Sequence, residues 1–110
     1  MTHKNNLFSL PDPLPEEEFF EDLMPGSSVR IERIISTGQV TPPGVWLKED
    51  SDEWVSLLQG RAVIEYEEQR MVELERGDWI LIPAHTPHRV ASTTVDPPCV
   101  WLAIHGKLRN

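Results

Sequence analysis

The sequence predicts an all-β domain of seven or eight short strands, a sandwich or barrel, with one short helix ahead of it. Three observations carry this. From residue 28 onward apolar residues recur with a period of two and are rich in β-branched types. Turn residues interrupt the pattern at short intervals. Beyond the N-terminal segment, no stretch has the length and periodicity of the crossover helices that a parallel α/β sheet requires, so that architecture is excluded.

Taken in order, Pro11, Pro13 and Pro15 remove backbone donors and leave the first 15 residues as a tail or packed arm. Pro15 followed by Glu16, Glu17 and Glu18 predicts a helix start, because proline suits the first turn and acids there complement the helix dipole. Phe19, Phe20, Leu23 and Met24 supply its apolar face, and Pro25 with Gly26 ends it after two to three turns. Residues 1–27 are thus expected to be tail and helix, and residues 28–110 the β-domain, within one domain overall. In the first strand, Val29, Ile31, Arg33 and Ile35 interleave with Arg30, Glu32 and Ile34. Further strands are expected at 53–58, 61–66, 70–74, 79–82, 87–92 and 100–104, separated by Gly60, residues 67–69, Gly77 and the loop 94–98.

Length and composition fit one folded domain. At 110 residues, two separate cores would each be too small. Hydrophobic residues at 39% and charged residues at 25% lie far from the composition of disordered chains. The formal charge of -8, with Lys and Arg scattered, argues against a nucleic-acid partner. Cys99 is the sole cysteine and sits beside Val100 and Trp101, so it reads as a buried small hydrophobe in a reducing compartment. No apolar run approaches signal-peptide or membrane-span length, which leads to an expectation of a cytoplasmic protein with no membrane partner.

Chemistry concentrates in the segment GDWILIPAHTPH, from Gly77 to His88, where two prolines stiffen a loop carrying His85 and His88. This segment resembles the second motif of the cupin family, which runs glycine, five residues, proline, one residue, glycine, two residues, histidine. His85 stands where the family has glycine, and Ser92 where it often has asparagine. The first cupin motif is half present: Glu53 and Gly60 match its glutamate and glycine. The positions of its His-x-His pair fall on Trp46 and Lys48, or on Leu47 and Glu49 with a gap one residue shorter. The resemblance spans roughly residues 38–105 and implies a jelly-roll β-barrel.

In cupins the histidine pair, the glutamate and the second-motif histidine hold a divalent metal. Only Glu53 and His88 carry over, so a site rebuilt from Glu53, His85 and His88 is the implied metal set, with iron, manganese or zinc as candidates. Trp46, Asp50 and His105 are candidates for the ligand pocket, Trp46 because it occupies the lost histidine region. Each residue also has a plainer reading: Glu53 as the partner of Arg89 or Arg61, His105 as a satisfied strand-end histidine, the tryptophans as core or interface.

Three functions follow from the resemblance. One is a metal-dependent oxygenase, isomerase or lyase acting on a small organic acid. Another is a non-catalytic barrel that binds a small molecule without metal. The third is a structural protein, and a homodimer is expected in any case because so small a chain gains core by pairing. No nucleophile constellation, phosphate-cradling glycine loop or dinucleotide fingerprint is present.

Overall fold

A computed structural model describes residues 3–110. Eight strands run in chain order: β1 Phe19–Asp22, β2 Arg30–Ser36, β3 Asp52–Gln59, β4 Ala62–Tyr66, β5 Arg70–Leu74, β6 Trp79–Ile82, β7 His88–Thr93 and β8 Cys99–Gly106. They form two antiparallel sheets, a five-stranded one in the order β1-β2-β8-β3-β6 and a three-stranded one in the order β5-β4-β7. Every strand expected from β2 onward is present, with boundaries shifted by no more than two residues.

The expected N-terminal helix is absent. Among the described residues there is no helix, and Phe19–Asp22 is instead an edge strand paired antiparallel with β2, Phe19 opposite Ile35 and Asp22 opposite Glu32. An isolated helix of two to three turns is marginal in water, whereas a strand laid on the open edge of β2 gives its backbone groups immediate partners. The acids that suggested a helix start are used differently: Glu18 accepts a hydrogen bond from the Ser36 hydroxyl at 2.7 Å, and Glu21 pairs with Arg33 at 2.8 Å.

The two sheets pack face to face over a core that includes Ile34, Leu57, Ala62, Ile64, Leu74 and Trp101, drawn from both. Trp101, buried in this core, donates its indole N–H to Ser36 Oγ at 3.0 Å. Cys99 is fully buried, in keeping with its apolar neighbours.

The register of β2 against β8 places Arg30, Glu32 and Ile34 on one face and Ile31, Arg33 and Ile35 on the other. Arg33 reaches the arm before β1, donating to the Leu7 and Ser9 carbonyls at 3.1 and 2.8 Å. That contact and Glu21 give partners to both terminal nitrogens of a guanidinium only 7% exposed, while its buried Nε has none.

Two glycines meet demands no other residue could meet at equal cost. Gly60, between β3 and β4, has φ 90°, and a Cβ there would lie 2.8 Å from both Cys99 Sγ and Thr94 Oγ1. Gly77, before β6, has φ 93° but open space where its Cβ would be.

Candidate functional site

The faces of the two sheets do not close completely. Between them lies a cavity of about 440 Å³, within the range of small-molecule pockets. Its apolar wall includes Ile34, Val55, Ile64, Ile82, Val90 and Trp101. Its polar wall is a row of side chains contributed by three strands of the large sheet and the first residue of β7.

Strand register explains the row. Glu53 on β3 stands opposite His105 on β8, and Glu32 on β2 stands one pair further along the same face, opposite Ala103. His88 opens β7 directly after the rigid Pro83 to Pro87 loop. His88 Nε2 lies 3.6 Å from Glu53 Oε1, His105 Nε2 lies 3.5 Å from Glu53 Oε2, and His105 Nε2 lies 2.8 Å from Glu32 Oε1. The sequence is therefore His88, Glu53, His105, Glu32, all but Glu53 below one tenth exposed.

The proton positions follow from the partners. His88 Nδ1 is 2.8 Å from the Thr86 carbonyl, which can only accept, so Nδ1 carries a hydrogen and Nε2 faces the carboxylate. Burial alone would lower the His88 pKa, but Glu53, the Thr86 carbonyl and the more distant Glu49 together raise it above its ordinary value. His105 Nε2 faces two carboxylates and so donates to Glu32, while its Nδ1, buried, has no partner. Glu18, at the β1 end of the cavity, is pushed up by burial and by the charge of Glu32, against the pull of its Ser36 hydrogen bond.

The segment between β2 and β3 forms one rim. Leu47 and His88 exchange backbone hydrogen bonds at 2.7 and 3.0 Å, and the His85 N–H donates to the Glu49 carbonyl at 2.7 Å. In this register Leu47 and Glu49 line the cavity, whereas Trp46 and Lys48 do not. The second of the two alignments for the missing histidine pair is the one whose residues look inward.

Of the residues singled out in the sequence, Glu53, His88 and His105 come together. Arg89 pairs with Glu65 and Arg61 with Glu75, so neither is the partner of Glu53. His85 and Asp50 stand outside the cavity as a solvent-exposed pair, Nδ1 to Oδ1 3.7 Å, with side chains 63% and 102% exposed. His85 has φ 64°, the left-handed conformation for which a glycine is suited. The chain keeps the backbone of the motif and changes only the side chain. Glu32, Glu18 and Arg30 were not singled out. The period-two pattern of β2 places Glu32 and Arg30 on the face of Ile34, and that was the available signal.

Asp52, next to Glu53 but on the opposite face, fastens the mouth. It accepts from the Ala84 and Leu108 N–H groups at 2.9 and 3.2 Å and from the Arg109 guanidinium at 2.9 and 3.2 Å. The Arg109 bond first, then the Ala84 N–H, hold its carboxyl at about 2.

The side chains do not make a metal centre as they stand. Among the described residues, no group of three or more His, Cys, Asp or Glu side chains is arranged to hold an ion. The reason is visible in the row: His105 Nε2 is committed to Glu32, and His85, the expected third ligand, points to solvent.

Comparison with known proteins gives a consistent picture. The profile of the cupin domain family matches residues 33–105. A solved structure from Ralstonia eutropha JMP134, provisionally assigned as a mannose-6-phosphate isomerase, is 42% identical, with TM-score 0.87, covering 96% of this chain and 99% of that one. A cupin superfamily protein from Desulfitobacterium hafniense DCB-2 is 20% identical, with TM-score 0.70 over 94% of this chain and 99% of its own. A protein from Neisseria meningitidis is 15% identical, with TM-score 0.73 over 96% and 100%. No protein of curated function matches the chain. Among the described residues, no helix is long and apolar enough to cross a membrane.

Proposed function

The chain belongs to the cupin domain family, and from that premise we propose that it binds a small organic molecule between its two sheets and handles a proton of that molecule with His88 and Glu53. One observation carries the reading: a row of two imidazoles and two carboxylates, each within 3.6 Å of the next, forms one wall of a cavity whose other wall is apolar. Apolar walls supply most of the binding energy of such pockets, and a few convergent polar groups set orientation.

The row suits acid–base work. His88 is held in one tautomer by Thr86, and Glu53 raises its pKa, favouring the imidazolium more than in an ordinary histidine. Glu53, between two imidazoles, can accept that proton or steady it. The divalent metal implied by the family is not invoked, because among the described residues no three of these side chains are arranged to hold an ion.

A thermal-shift screen of small organic molecules, run with and without chelator, tests the reading. Molecules that raise the melting temperature equally in both conditions, and less in a Glu53→Gln variant, are the expected result. Stabilisation that appears only on adding iron(II), manganese or zinc would overturn it in favour of a metal site. The His88 resonance supplies a second readout: its titration midpoint should lie above the ordinary histidine value and fall in Glu53→Gln.

A further inference from the structure

The charges around the cavity say what kind of molecule it accepts. Glu18, Glu32, Glu49 and Glu53 line it, and Arg30 is the one lining residue with a permanent positive charge. Arg30 is itself half exposed and sits 3.9 Å from Glu32, so its charge is largely answered within the wall. Even with a protonated His88 opposite Glu53, carboxylates outnumber cations.

A phosphate or carboxylate ligand would need arginine or lysine forks, a helix N-terminus or a nest of backbone N–H groups. Among the described residues, Arg30 is the one such group at this cavity, and Glu32 answers its charge. No helix exists among the described residues. What the wall has in surplus is acceptors. Glu53 meets its histidines only at 3.5 and 3.6 Å, and Glu49 stands exposed at the mouth.

We infer that the ligand is a small organic cation, an amine with an apolar body, seated with its ammonium toward Glu53 and Glu49 and its body against the Ile64, Ile82 and Trp101 wall. This deepens the proposed function and rests on it. An ammonium offers three donors and no acceptor, which complements an acceptor-rich wall. A sugar phosphate, the ligand class suggested by the name of the Ralstonia protein, meets repulsion here instead.

Four matched probes test this by NMR on the whole chain at neutral pH: cyclohexylmethylamine, cyclohexylmethanol, cyclohexanecarboxylate and mannose 6-phosphate. The amine should bind about tenfold or more tightly than the alcohol, with the carboxylate and the sugar phosphate weaker still. Glu49→Gln, at an exposed rim position, should weaken the amine more than the alcohol. An alcohol that binds as well as the amine, or an anion that binds better, overturns the charge inference while leaving a small-molecule cavity in place. If none of the four shifts the resonances of cavity residues at millimolar concentration, the binding reading itself falls and the inference with it.

Discussion

Replacing His85 separates the backbone role of that residue from any role of its ring. His85 has φ 64°, and its side chain is 63% exposed, with Asp50 3.7 Å away as its ionic neighbour. Holding an L-residue in the left-handed region costs about 1–2 kcal/mol, and a glycine escapes that cost but loses about 0.5–1 kcal/mol to its larger unfolded-state entropy. An exposed pair such as His85 with Asp50 contributes at most about 1 kcal/mol, commonly far less. His85→Gly should therefore lie between about 1 kcal/mol less and about 1.5 kcal/mol more stable. His85→Ala loses the same ring but keeps the strain, so it should be the less stable of the two by about 1 kcal/mol. In a domain of this size that difference separates melting temperatures by roughly 4–8 °C. Urea unfolding followed by tryptophan fluorescence reads it directly. An alanine variant as stable as the glycine variant would refute the backbone argument. A loss above about 2 kcal/mol in both variants would mean that the ring is engaged, as a metal ligand would be.

Three further outcomes follow from the geometry. Gly60→Ala should cost more than Gly77→Ala, because both require φ above 90° or close to it but only at Gly60 does the new methyl meet Cys99 and Thr94; the expected losses are about 2–4 and about 1–2 kcal/mol, compared by urea midpoints. Asp52, its carboxyl at about 2 against an ordinary 3.8, stabilises the fold above pH 3.8 and loses that contribution as pH falls toward 2. Asp52→Asn should therefore flatten the acid limb of the stability curve in that window, and an unchanged limb would show the Arg109 clamp to be immaterial. The expected homodimer has a candidate surface on the outer face of the large sheet, where register aligns Trp54, Leu81 and Ile104, with Trp79 59% exposed beside them. Sedimentation of a monomer at micromolar concentration would count against pairing, and Trp79→Lys should dissociate a dimer if that face forms it.

The all-β architecture, seven of the eight strands and the pairing of Glu53 with the second-motif histidine were legible in the sequence. Alternation with period two is a local property: it depends on side chains of the same segment pointing to opposite faces, and needs no knowledge of neighbours. The segment Gly77 to His88 was legible for a related reason, since the glycine, the prolines and the histidine each answer a local backbone or ligand demand.

What only the tertiary structure decided was every question that depends on which strands lie side by side. The pattern around Phe19 suits a helix in isolation, and the open edge of β2 converts it to a strand. Glu32 and His105 are 73 residues apart and meet because β2 and β8 are neighbours in the sheet. His85 and His88, three apart, part company because φ 64° turns one outward while the other begins β7 inside. Sequence separation carries no information about such meetings. They are fixed by register and by the sign of one backbone angle, and those two quantities turned an expected metal set into a row of paired imidazoles and carboxylates.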